Sequence, residues 1–206
     1  MSSEAAGEYR IQSKEISYIP KKPKELIGKS KNILDLGCGN GWLRTYLHQG
    51  QIYTGISFSK TEVDYINNTN YFSINTEAIL HDARKELPFK KESFDCVTAI
   101  HFIEHFTKED VESIMGEVRR VLKKGGWLIL ATPTDYQPFF WGEWSHVRPY
   151  NHGSIEGLLK DFGFKEVSWT YPKIEFLPQK WQALLRFPFF FLKPLLWGEV
   201  YAVGRI

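Results

Sequence analysis

The chain has 206 residues, which fits one α/β domain with one sizeable core. Lys and Arg number 26 against 24 Asp and Glu, so a net charge of +2 offers no bulk attraction for nucleic acid. The two cysteines, Cys38 and Cys96, lack metal-type spacing and read as reduced thiols, so no metal centre is expected, and no apolar run reaches the roughly 18–20 residues of a membrane span.

Residues 1–22 read as a polar, aperiodic arm without the layout of a secretory signal, and 23–206 as one domain. The lysine-rich stretch 21–31 suits a solvated linker and short helix, or a membrane-surface or polyanion contact. An apolar strand at 32–36 then runs into Asp35-Leu36-Gly37-Cys38-Gly39-Asn40-Gly41, and an amphipathic helix is expected at 42–48. A strand at 52–56, a helix at 60–67 and a strand at 77–80 follow. The nearly all-apolar run 94–100 has the character of a central strand buried on both faces. Val111, Ile114, Met115, Val118, Val121 and Leu122 share one stripe of a helix over 108–122, and Thr107 with Asp110 has capping-box spacing. Gly125-Gly126 precede a strand at 127–131, and Gly163 stops a helix over 154–162. Strands at 164–171 and 199–205 complete a β/α alternation that implies a mainly parallel sheet with helices on both faces.

The strand–loop–helix segment Ile33-Leu34-Asp35-Leu36-Gly37-Cys38-Gly39-Asn40-Gly41-Trp42-Leu43 resembles motif I of the class I S-adenosylmethionine-dependent methyltransferases. Its spacing is G-x-G-x-G, not the G-x-G-x-x-G of dinucleotide binding, and no P-loop Lys-Ser or Lys-Thr follows. Leu87-Pro88-Phe89 with Glu92-Ser93-Phe94-Asp95-Cys96-Val97 is similar to the family's approach to strand four. The run from Glu117 to Gly126 is similar to its E-x-x-R-V-L-K-P-G-G segment, and His146-Val147-Arg148-Pro149-Tyr150 to its H-x-R-x-Y segment. The resemblance implies a Rossmann-like, seven-stranded, mostly parallel sheet, with 199–205 antiparallel beside the fifth strand and S-adenosyl-L-methionine as cofactor.

That resemblance also implies a site. The methionine moiety would lie over Gly37, Cys38, Gly39 and Gly41, where glycine admits close approach and dihedrals barred to other residues. Asp35 would hold its cationic end directly or through water; the plainer alternative is an acid that orders the loop. Where most members carry a ribose-binding acid, this chain has Ser57, which cannot accept two bonds in bidentate fashion. The run Gly55-Ile56-Ser57-Phe58-Ser59-Lys60-Thr61-Glu62 instead resembles the cyclopropane fatty-acid synthase branch, and implies that Glu62 reaches the ribose with Ser57 in support. An exposed helix glutamate is the alternative. Asp82 and the Ala83 amide would serve adenine, and Ile100 would complete the cofactor contacts. Beyond it, His105 is a candidate proton acceptor, Glu104 its orienting partner or a cation ligand, and His146 a third catalytic group. A polar cluster holding the loop is equally compatible, and His101 reads as a pocket wall.

Two aromatic-rich stretches exceed a minimal domain of this kind. Residues 134–152, with Tyr136, Phe139, Phe140, Trp141, Trp144 and Tyr150, read as an acceptor lid or as loop aromatics completing the core. Residues 174–198 include the apolar run 183–196, broken by Pro188 and Pro194; as a helix it would rise only about 21 Å, short of a roughly 30 Å bilayer core. Three readings stay open for it: an insertion over the active site, a peripheral membrane contact, or a homodimer interface. The expected activity is methyl transfer to a small-molecule, saccharide or lipid-like acceptor, at oxygen, by a cytoplasmic or peripherally membrane-bound monomer or homodimer that binds no nucleic acid. Cyclopropane-type lipid modification and a non-catalytic cofactor-binding domain are the alternatives.

Overall fold

The computed structural model describes residues 19–69, 74–135, 140–171 and 198–206. Seven strands, β1 (Asn32–Leu36), β2 (Ile52–Ser57), β3 (Asn75–Leu80), β4 (Phe94–Ile100), β5 (Leu122–Pro133), β6 (Lys165–Thr170) and β7 (Glu199–Arg205), form one sheet in the order β3-β2-β1-β4-β5-β7-β6. The first five are parallel, and β7 runs antiparallel between β5 and β6, with Tyr201 opposite Ala131. The expected final strand therefore lies where the sequence placed it.

Burial follows position in the sheet. Central β1 and β4 are buried along almost their whole length, whereas edge strands β3 and β6 are mostly half-exposed or exposed. Side chains alternate between faces. Leu34, Leu36, Val97 and Ala99 pack against α3 (Lys108–Val121) and α4 (His152–Asp161). Ile33, Tyr53, Cys96 and Ile129 pack on the other face with α1 (Lys21–Lys29) and α2 (Lys60–Asn68). Helix starts follow local chemistry: the Thr107 hydroxyl accepts from the Asp110 N–H, and Asn151 and Ser154 form a reciprocal capping box.

Two elements differ from expectation. The helix expected at 42–48 is a five-residue 3-10 turn, Trp42–Tyr46. Gln51 ends it: its side-chain oxygen accepts from the His48 N–H at 2.6 Å while its nitrogen donates to the carbonyls of Ile27 and Ser30, which draws the chain straight into β2. The Gly125-Gly126 pair, expected to separate helix from strand, lies inside a longer β5. A Cβ on Gly126 would stand 2.9 Å from the Lys123 carbonyl and 3.1 Å from that of Asp95, so glycine is needed for backbone approach there.

The chain begins at β1 in mid-sheet, builds outward to β3, then returns across β1 to β4. The crevice between the carboxyl ends of β1 and β4 is thus the topological switch point, where open α/β sheets bind ligands. Truncating fully buried Leu34 to Ala should cost about 2–5 kcal/mol of stability in urea titration. Leu80→Ala, at an exposed edge-strand end, should cost about 0.5 kcal/mol or less.

Candidate active site

The loop after β1 carries three glycines in the left-handed region, Gly37, Gly39 and Gly41, at φ 68°, 52° and 72°. The N–H groups of Gly37 and Cys38 both donate to the Ile56 carbonyl, at 2.9 and 3.0 Å, which curls the loop onto the end of β2. The glycines are not equivalent. A Cβ on Gly37 would strike the ring of Phe102, and one on Gly41 would stand 2.6 Å from Arg44, so packing alone requires both. A Cβ on Gly39 would meet nothing within 4 Å, so the middle of the loop opens as a cradle. Gly37→Val would therefore damage the fold before it reported on a ligand.

Under this loop lies Asp35, almost fully buried. It sits opposite Thr98 on β4 and Gly55 on β2. The bare Gly55 leaves room for Cys38 and for Tyr53, two residues back on the same face; a Cβ there would stand 2.8 Å from the Cys38 sulfur and 3.3 Å from the Tyr53 ring. Tyr53 donates to one Asp35 oxygen at 2.8 Å, and Thr98 to the other at 2.7 Å. Burial pushes the Asp35 pKa up to about 6, against the pull of those two bonds. Burial also raises the Cys38 thiol, followed by the negative charge of Asp35 and Glu62, which makes it an inert wall.

Ser57 and Glu62 do meet. Ser59 caps α2 by accepting the Glu62 N–H, the start of a capping box that would ordinarily turn the Glu62 carboxylate back to the Ser59 N–H. Here the Ser57 hydroxyl accepts that N–H at 2.9 Å and donates to the Glu62 carboxylate at 2.5 Å. Glu62 is buried at the end of β2, not an exposed helix glutamate. Arg44, which carried no sequence signal, is also buried; its guanidinium donates to the carbonyls of Asn40, Gly41, Ile66 and Thr69 and so ties the glycine loop to α2.

Asp82 follows β3, with Ala83 buried beside it. Arg84 grips its carboxylate through Nε and a terminal nitrogen, at 2.9 and 2.8 Å, and holds its pKa down at about 2. Adenine would have to share this carboxylate with Arg84.

At the end of β4, Ile100 is buried and His101 takes a positive φ of 51°, a strained conformation for a side-chain-bearing residue. The His101 ring lies between two acids, 2.6 Å from Glu199 on β7 and 3.6 Å from Glu104. Burial disfavours its charge, but contacts to Glu104 and Glu199 dominate and lift its pKa to about 10. It is thus a charged bridge to the last strand. Glu199 went unnoticed in the sequence because only the β5–β7 pairing brings it here.

Glu104, His105 and His146 also converge, with one ligand atom from each within 4.8 Å of the others. Val147 and Arg148 N–H groups both donate to the Glu104 carbonyl, which brings His146 beside the 3-10 turn Ile103–His105. Of the lid aromatics, Phe140 and Tyr150 are buried, whereas Trp141 and Trp144 are 70% and 80% exposed. Tyr136, Phe139 and the run 183–196 lie outside the described residues, among which no helix is long and apolar enough to cross a membrane. A separate groove of about 320 Å³ lies at the amino ends of the strands, lined by Lys29, Lys31, Lys123 and Lys124 with Asp95, and holds none of the expected site residues.

Residues 34–130 match the family described as "Methyltransferase domain". The chain is 32% identical over 102 residues to the 27-O-demethylrifamycin SV methyltransferase of Amycolatopsis mediterranei, covering 48% of this chain and 37% of that protein. It is 29% identical over 113 residues to the ubiquinone biosynthesis O-methyltransferase of Coxiella burnetii, covering 50% and 44%. The chain thus aligns with less than half the length of these curated relatives. The crystal structure of a SAM-dependent methyltransferase from Archaeoglobus fulgidus superimposes with a TM-score of 0.68 over 90% of both chains at 16% identity, which shows a shared fold.

Because the folded pKa of Asp35 exceeds its ordinary 3.8, the folded chain holds this proton more tightly than the unfolded chain. The stabilisation is full below about pH 4 and lost as pH rises through about 6. The wild-type advantage over Asp35→Asn in unfolding free energy should therefore be roughly 2 kcal/mol larger at pH 4 than at pH 7, measured by urea titration at both.

Proposed function

We propose that this protein, whose residues 34–130 match a methyltransferase-domain family, moves a methyl group from S-adenosyl-L-methionine to an oxygen of a small, saccharide or lipid-like acceptor. The observation that carries this reading is the buried Ser57–Glu62 pair beside the Gly39 cradle. The residues suit the cofactor: an acidic set, Asp35, Glu62 and Asp82, faces a ligand with an ammonium group, ribose hydroxyls and an exocyclic amine. Bound there, it supplies a methyl already activated by positive sulfur, so placing the acceptor oxygen in line is the main task of the protein.

Each group then has a role. The cradle around Gly39 gives backbone access, with Cys38 and Ile100 as apolar walls. Asp35 sets the charge beneath the loop. Glu62, relieved of capping by Ser57, accepts from ribose hydroxyls. Asp82 and the Ala83 amide address the base. His105 and His146 each place Nδ1 on a backbone carbonyl, of Ser145 at 3.2 Å and Phe140 at 2.8 Å. A carbonyl only accepts, so both rings carry a proton on Nδ1, and in the neutral imidazole the lone pair is then on Nε2. Trp141 and Trp144 form the exposed apolar side of the acceptor entrance.

Curated relatives with O-methyltransferase chemistry in their names support oxygen as the acceptor atom. The Ser57–Glu62 pattern also fits methylene addition to a lipid double bond. Incubation with methyl-labelled cofactor and separate pools of quinone precursors, glycans and lipids decides: label in a base-stable methyl ether of a hydroxylated acceptor is expected, label retained only in a cyclopropanated acyl chain favours the second reading, and no transfer to any pool contradicts both. Glu62→Ala should weaken cofactor binding by about 1–3 kcal/mol in calorimetry; unchanged affinity would remove Glu62 from the site.

A further inference from the structure

We propose that Glu104, His105 and His146 bind one divalent transition-metal ion of the zinc class. Their ligand atoms already lie within 4.8 Å of one another. The two imidazoles are set up as metal ligands usually are. In each, Nδ1 donates to a backbone carbonyl, 3.2 Å from Ser145 for His105 and 2.8 Å from Phe140 for His146, which fixes the tautomer with its lone pair on Nε2. Glu104 supplies the independent observation. Its side chain is fully buried, and among the described residues no donor stands within 3.5 Å of either carboxylate oxygen. A buried anion is normally paired or bound to a metal. Among the described residues the one ion-pair neighbour of Glu104 is His101, whose Nδ1 stands 3.6 Å from Glu104 Oε1 while its other ring nitrogen is held 2.6 Å from Glu199.

The backbone is built to hold this arrangement. Glu104 and His105 are consecutive in a 3-10 turn, and the Glu104 carbonyl accepts from both Val147 and Arg148, which fixes the chain on the far side of His146. On zinc, ligand atoms about 2.1 Å from the metal stand roughly 3.4 Å apart in a tetrahedron. Closing from 4.8 Å needs a small rotation of the half-buried histidines. Two imidazoles and one carboxylate favour zinc, cobalt or iron over magnesium or calcium, which prefer oxygen alone. Three protein ligands leave a fourth position for an oxygen ligand, water or the hydroxyl of an acceptor. That last occupant rests on the reading of the protein as an O-methyltransferase; the metal site itself does not.

The test needs neither cofactor nor acceptor. Untagged protein is stripped with chelator and titrated with Co²⁺ alone, followed by visible absorption, and then with Zn²⁺ in competition. One equivalent of Co²⁺ should bind with the intense d–d bands of a low-coordinate site, and Zn²⁺ should displace it. His146→Gln and His105→Gln should each weaken Zn²⁺ binding by roughly tenfold or more. His152→Gln, whose ring pairs with Tyr171 away from the cluster, should leave it unchanged. Circular dichroism confirms that each variant is folded, and either one of the two ligand variants suffices. Absence of stoichiometric Co²⁺ uptake by the wild type overturns the proposal. So does wild-type Zn²⁺ affinity in a folded ligand variant.

Discussion

A carboxylate buried at the centre of the sheet organises the site. Asp35 stands on β1, takes hydrogen bonds from Tyr53 on β2 and Thr98 on β4, and underlies the glycine loop. Charge in such a position is costly, as its raised pKa records. Its two donors reach it because Gly55 has no side chain and because Thr98 is in register beside it. The three strands at the switch point are thereby linked through one polar group. The loop that opens at Gly39 rests on that link and on the Arg44 guanidinium behind it.

Around this centre the carboxyl edge is acidic, and each acid has a different local partner. Ser57 turns Glu62 away from its cap, Arg84 grips Asp82, and His101 lies between Glu104 and Glu199. Negative charge is thus kept within an otherwise apolar crevice by neighbours that lower its cost. A cationic, hydroxyl-bearing cofactor suits such an edge; a pyrophosphate does not. The strained backbone of His101 belongs to the same device, since its position aims the ring at the last strand.

The parts of this architecture that depend on local pattern were legible in the sequence. The stripe from Val111 to Val121, the apolar run of β4 and the alternating glycines each report a period or a dihedral requirement that acts within a few residues. Glu62 with Ser57 was implied only by a family resemblance; the N-cap at Ser59, which sets Glu62 one turn above the strand end, came from the structure. Long-range partners were not legible. Glu199 meets His101 only through an antiparallel pairing, and the closure of Arg44 onto α2 leaves no periodic trace. The turn at 42–46 replaced a helix because Gln51, from outside the segment, captured its terminal N–H and two carbonyls of the preceding unit.

On the reading proposed above, the glycine loop, the end of β2 and the end of β3 form one cofactor surface at the carboxyl edge. Hydrogen–deuterium exchange with and without S-adenosyl-L-methionine tests it most directly. Slower exchange should appear together in 37–41, 57–62 and 82–84 when the cofactor is added, with the lysine groove around 29–31 and 123–126 unchanged. Exchange that stays the same at all three segments, or that slows only at the groove, would rule this surface out.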